Sequence, residues 1–150
     1  MRREYPSHPI VGVGAVIVQD CRLLIVKRGV EPGKGKWSIP GGAVELRETV
    51  RDATIREAKE ETGLDVEIVV DRPLDAFDNL DIDEKGGLRY HYVLLQFLTR
   101  PKSGTLKPSS DALDARWVPL EEVEKYDLTK PFRKFFTKHK DELREFSRGL

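Results

Sequence analysis

An α/β fold with a mixed β-sheet held between helices is what this sequence predicts, and three stretches predict it. Ile10 to Gln19 and Leu23 to Lys27 are apolar, β-branched runs separated by a short polar turn, the pattern of a hairpin. Leu46 to Thr62 reads as a helix that stops at Gly63, because glycine favours the left-handed position after a last helical turn. From Thr129 the tail repeats Phe132, Phe135, Phe136, His139, Leu143, Phe146 and Leu150 at helical spacing, with Pro131 in the first turn.

The elements between these follow in order. Residues 1–9 form a loose lead-in in which Pro6 and Pro9 oppose regular structure. Gly12 and Gly14 interrupt the first strand, and 19–22 make its turn. Arg28 to Lys36, rich in Gly, Pro and charge, is a loop. Val66 to Val70 is a strand that can extend past Pro73 to Phe77. Asp78 to Gly87 is expected as an acidic hairpin loop, Leu88 to Thr99 as a strand, Arg100 to Ser110 as a loop, Ala115 to Pro119 as a short strand and Leu120 to Lys125 as a helical turn. The order is β-β-loop-α-β-β-β-α, which calls for helices on both faces of the sheet. The tail helix carries Lys134, Lys138 and Arg144 opposite its apolar stripe. Its expected role is to cover the sheet; a membrane surface or a partner is the alternative.

Bulk properties narrow the function classes. A chain of 150 residues, read as one domain over 1–150, has room for a real core. The 26 basic and 26 acidic residues cancel, so no global field gathers nucleic acid. No apolar run approaches the ~18 residues of a membrane span, and the first residues lack the apolar segment of a signal peptide. The lone Cys21 excludes an internal disulfide and fits a reducing compartment. The expectation is a cytoplasmic protein with a small-molecule partner, no nucleic acid and no membrane. A homodimer is carried beside the monomer.

The chemistry concentrates on the first helix. Glu57 and Glu61 fall on the same side as Val50, Ala53 and Thr54, with Glu60 on the flank. A stripe that should face the core therefore runs into carboxylates. The two are like charges at i, i+4, and all three lie near the negative end of the helix dipole. Spacing alone leaves two readings open: a solvated acidic face, or a site for a divalent cation that removes all three conflicts.

The wider stretch resembles the signature of the Nudix family: Gly, five residues, Glu, seven residues, Arg-Glu, aliphatic, any, Glu-Glu, any, Gly, aliphatic. Gly42, Glu48, Arg56, Glu57, Ala58, Glu60, Glu61, Gly63 and Leu64 fill those places without a gap, Ala58 being a small choice for its slot. Trp37-Ser38-Ile39-Pro40-Gly41-Gly42 ahead of the box has the same likeness. The resemblance implies the Nudix α/β/α sandwich and Mg²⁺-dependent hydrolysis (Mn²⁺ as a substitute) of a nucleoside diphosphate linked to another group. It implies Glu57, Glu60 and Glu61 as metal ligands, joined by a carbonyl near Gly41 or Gly42. Arg56 would hold them in register. Glu48 would be either a further ligand or only a partner for Arg56.

Catalysis also needs a general base, for which the resemblance implies either a box glutamate, Glu57 or Glu60, or an acid from a later loop; the acidic loop offers Glu84 first, with Asp83, Asp81 and Asp78 beside it, and Asp111 and Asp114 are further candidates. Arg28 can reach a phosphate in a bidentate contact, with Lys27 or Lys36 adding charge. Trp37, Tyr90 or Phe77 could stack on a base or ribose, or belong to the core. The segment holding Asp111 and Asp114 looks like the strand near the base-recognition pocket of many Nudix enzymes. General likeness is to small ADP-ribose pyrophosphatases, which yield AMP and ribose 5-phosphate, although position 80, Pro in some of them, is Leu here. Two other readings stand beside it: a house-cleaning nucleoside triphosphate pyrophosphatase of the oxidised-dGTP type, and a non-catalytic nucleotide-sensing module.

Overall fold

Residues 3–148 are described by a computed structural model of the chain. Eleven elements follow one another: β1 (Ile10–Gln19), β2 (Arg22–Arg28), β3 (Trp37–Ser38), β4 (Gly41–Ala43), α1 (Val50–Thr62), β5 (Leu64–Ile68), β6 (Asp75–Ile82), β7 (Leu88–Gly104), β8 (Ala112–Pro119), a 3₁₀ turn (Leu120–Lys125) and α2 (Lys130–Ser147). The centre of the sheet is β1 against β7, parallel from Ile10↔Tyr92 to Ile17↔Thr99. β4 lies along the other side of β1 at Gly12–Gly14, whereas β2 meets β1 only at Val18↔Leu23 and Gln19↔Arg22. β1 and β2 thus part after their shared turn. Residues 37–43 cross from β2 to β1 by way of β3 and β4.

Alternation along β1 assigns the two faces. Val16 and Val18 point to the side covered by α2, in a core with Leu23, Ile25, Leu98, Phe132, Phe135, Phe136 and Leu143. Val13, Ala15 and Ile17 point to α1, where they meet Ala53, Ala58, Leu64, Val66 and Phe97. The amphipathic tail therefore covers the sheet as expected; Leu150 of its apolar repeat lies outside the described residues, as do the first two residues of the lead-in. None of the described helices is long and apolar enough to cross a membrane. His139 on α2 docks on the sheet through Nε2, 2.8 Å from Asp75 of β6, while Nδ1 lies 2.7 Å from Glu142 on its own helix.

Several boundaries differ from the expected ones. α1 starts at Val50, not Leu46: Thr49 caps it by accepting the Asp52 amide, and residues 45–48 instead close a turn in which Glu48 donates to the Glu45 carbonyl and its side chain accepts the Glu45 amide. Much of the supposed acidic loop is strand. β6 takes Asp78 to Ile82 and pairs with β7 from Asp75↔Gln96 to Ile82↔Leu88. Cross-strand pairing overrides the poor β-propensity of its aspartates. β7 runs on to Gly104 because β5 pairs with Arg100 to Gly104. β8 begins at Ala112, opposite Arg28.

Candidate metal and phosphate site

Where α1 ends, the parting of β1 and β2 leaves backbone exposed to side chains, and there the box residues gather. The Arg56 guanidinium is the hub. Its Nε and Nη2 donate to the two Glu48 oxygens at 2.6 and 2.9 Å. Nη1 donates to Glu57 at 2.9 Å and Glu60 at 3.2 Å, and Nη2 also reaches the Ala43 carbonyl at 3.2 Å. The bidentate contact fixes direction as well as charge. It holds the Glu48 carboxyl below the ordinary range and raises Arg56 above its already high one. Of the two sequence readings of Glu48, the geometry matches the partner of Arg56.

The Glu57 carboxylate adjoins that of Glu61 and acts on it. Glu61 is 5% exposed, and its Oε2 accepts the Gly41 amide at 3.1 Å. Burial, with the adjoining Glu57 carboxylate, pushes Glu61 up to about 9; the Gly41 amide and the Arg28 charge act in the opposite sense. Two glycines make this approach feasible. A Cβ on Gly42 would collide with the Glu57 carboxylate, and one on Gly41 with the Val13 carbonyl. The expected convergence of three carboxylates is not seen: among the described residues no trio of acidic, His or Cys side chains has metal-binding geometry. Glu60 is the reason, since its carboxylate turns to Arg56 and is the more exposed of the three.

This donor set fits a hard divalent cation. Two carboxylates pressed together in a buried place are satisfied either by a proton or by an ion that takes oxygen ligands. Glu60 needs only to leave a partly exposed ion pair to join them.

Arg28, at the end of β2, is near enough for its charge to bear on Glu61. Its Nε donates to the Pro32 carbonyl at 2.6 Å, and its backbone amide and carbonyl close the 28–36 loop with Lys36 and Gly35. Its terminal nitrogens make no hydrogen bond among the described residues. Asp111 is joined to this corner by its backbone, its carbonyl accepting the Gly29 amide at 2.7 Å, while its side chain is exposed. Lys27 lies one residue earlier on β2, opposite Trp37 and Asp114.

For the three aromatic candidates the core alternative holds. Trp37 is in the core, 8% exposed, with Tyr126 edge-on at 5.2 Å and the Arg116 guanidinium over its ring at 5.1 Å; no face is free to stack on a ligand. Tyr90 and Phe77 pack likewise, on Tyr92 and Phe135. Asp114 binds its neighbour Arg116 and the Ala115 amide. Glu84 sits in the exposed β6–β7 turn, which Asp83 builds by accepting the Lys85 and Gly87 amides. Glu84 has no contact with the box carboxylates among the described residues. Sequence reasoning missed the β7–β8 loop, whose Lys107 and Ser109 bond to the end of α1. No local signal marks that contact, which depends on where β7 ends.

The NUDIX domain family model matches residues 8–139. An ADP-ribose pyrophosphatase of Methanocaldococcus jannaschii is 37% identical over 118 residues, 79% of this chain; the match spans 66% of that relative's length. The crystal structure of a MutT NUDIX hydrolase from Burkholderia pseudomallei superposes with a TM-score of 0.73 at 31% identity, covering 87% of this chain and 98% of that one. A bifunctional NMN adenylyltransferase/ADP ribose pyrophosphatase from Francisella tularensis, complexed with AMP and a Mn ion, has a TM-score of 0.68 at 26% identity, covering 91% of this chain and 42% of that one. The chain belongs to the Nudix family, and its fold is the mixed sheet between helices of Nudix hydrolase structures.

The Glu61 environment has a measurable consequence. Its folded value lies above the ordinary 4.5, so the metal-free fold keeps a proton that the unfolded chain loses. That stability is full below about pH 4.5 and is lost as pH rises toward about 9. Without metal, Tm is expected to fall by at least about 5 °C between about pH 5 and pH 8, and Glu61→Gln to flatten the slope. An equal slope in both proteins, measured by calorimetry in chelator, would contradict the burial of Glu61.

Proposed function

We propose that this chain is a divalent-metal-dependent pyrophosphohydrolase acting on a nucleoside diphosphate linked to another group, with ADP-ribose cleaved to AMP and ribose 5-phosphate. The observation that carries the reading is buried Glu61 beside half-buried Glu57, set against Gly41 and Gly42, with the Arg28 charge bearing on Glu61. ADP-ribose is favoured by the name of the Methanocaldococcus jannaschii relative and by the AMP in the Francisella tularensis structure.

Glu57 and Glu61 would hold Mg²⁺, or Mn²⁺ in its place, with Glu60 joining from Arg56 and a backbone carbonyl near Gly41 adding an oxygen. When bound, the ion supplies positive charge to two repelling phosphates and acidifies water. Arg56 keeps Glu57 and Glu60 in register, anchored by Glu48. Arg28 orients the diphosphate through its two free nitrogens, its Nε being held by Pro32. Lys27 adds charge on the same strand, and Asp111 is positioned to meet the nucleoside beside Arg28.

In the reaction, water attacks one phosphorus and the bond from that phosphorus to the bridging oxygen breaks. The bridging oxygen leaves with the other phosphate. The proton lost by water goes to a carboxylate, which we assign to Glu84 in the exposed β6–β7 turn, where it has no partner among the described residues.

A product assay over a nucleotide panel with Mg²⁺ tests the substrate. ADP-ribose is expected to exceed nucleoside triphosphates in kcat/KM by at least about tenfold, roughly 1.4 kcal/mol. Dominant release of pyrophosphate from a triphosphate, oxidised dGTP included, would transfer the assignment to that class. Glu84→Gln is expected to lower kcat by about 100-fold while leaving Mn²⁺ affinity unchanged. Full kcat in that variant would remove Glu84 from the base role.

A further inference from the structure

The end of a helix leaves its last four carbonyls without helical partners. In α1 these belong to Lys59, Glu60, Glu61 and Thr62, so they lie directly beneath the box carboxylates. All four are satisfied. Lys59 accepts the Gly63 amide at 2.9 Å, the ordinary left-handed cap. The other three are taken by the β7–β8 loop: the Lys107 amide donates to Thr62 at 2.8 Å, the Ser109 amide to Glu61 at 3.3 Å, and Ser109 Oγ to Glu60. The loop comes this close because residue 63 has no side chain; a Cβ there would strike the Thr105 carbonyl.

The same loop continues to the other half of the site. The Ser109 carbonyl accepts the Ala112 amide at 3.1 Å, and Asp111 accepts the amide of Gly29, next to Arg28. One short segment thus ties the backbone beneath the glutamates to the backbone beside the cationic arm. Among these ties the Ser109 hydroxyl is the only side-chain donor, so it can be removed without touching a backbone bond.

We propose that Ser109 is a positioning residue for the metal site: its hydroxyl fixes the Glu60 carbonyl, and through it the turn that presents Glu57, Glu60 and Glu61. The proposal rests on the metal reading above. Residues that orient metal ligands commonly cost 10–100-fold in affinity when lost. Ser109 takes that role from the backbone side, while Arg56 takes it from the side-chain side.

The test is direct Mn²⁺ binding by the full chain, with free ion counted by electron paramagnetic resonance, for the native protein, Ser109→Ala and Ser109→Thr. Ser109→Ala is expected to bind about tenfold more weakly and Ser109→Thr to recover to within about twofold. Metal-free Tm should stay within about 3 °C of the native protein in both, and KM for ADP-ribose at saturating metal should be unchanged. Native affinity in Ser109→Ala overturns the proposal alone. So does a larger Tm loss in Ser109→Ala, or weak binding that the threonine hydroxyl fails to restore. A native protein that binds no Mn²⁺ overturns the metal reading together with it.

Discussion

Two carboxylates are forced to share one buried corner, and most of the local structure exists to make that arrangement tolerable. Glu57 and Glu61 project from the same side of α1 toward a backbone made bare by Gly41 and Gly42. Left ionised without a partner, such a pair is strongly unfavourable in a low-dielectric place. Arg56 relieves one member through Glu57, the Gly41 amide relieves the other, and Arg28 contributes charge from across the gap. These offsets are partial, so burial still pushes the Glu61 carboxyl above the ordinary range. A place that favours a proton on a carboxylate is also a place suited to a more highly charged cation that takes oxygen ligands.

The fold supplies the rigidity that the corner needs. β1 is paired on one side by β7 over eight positions, and its two faces are filled by opposite cores. Because β2 leaves β1 after two residue pairs, the sheet opens where Gly14 and Gly41 face each other and where Arg28 comes in. α1 is fixed on the core side by Ala53 and Ala58, small enough to bring the helix axis close, and at its end by the β7–β8 loop. Carboxylates, cationic arm and glycine hairpin therefore belong to different segments that meet only in the folded chain. A change to any one of them acts on the others through side-chain contacts such as Glu61 on the Gly41 amide and through backbone hydrogen bonds of the β7–β8 loop.

Much of this was legible in the sequence, and the reasons are local. The period of the first helix placed Glu57 and Glu61 on its inner side, and the fixed spacing from Gly42 to Leu64 carried the family likeness. What failed was read from composition. Asp78 to Ile82 looked like a loop because it is acidic, yet β7 offers it a free edge and it pairs. Leu46 looked helical because it is apolar, yet it is 96% exposed in the turn before Thr49. Trp37 could be read as a stacking ring or as core, and it is core, covered by Tyr126 and Arg116. The link from Ser109 to Glu60 spans 49 positions and leaves no mark in a one-dimensional pattern.

Proton counting during metal binding addresses the central claim most directly. Calorimetric titration of the native chain with Mg²⁺ near neutral pH, repeated in buffers of different ionisation enthalpy, gives the number of protons displaced per ion. If the carboxylate pair is the seat of the cation, about one proton leaves for each ion bound, and Glu61→Gln abolishes the release. Binding with no proton displaced, or a release that survives in Glu61→Gln, would contradict it.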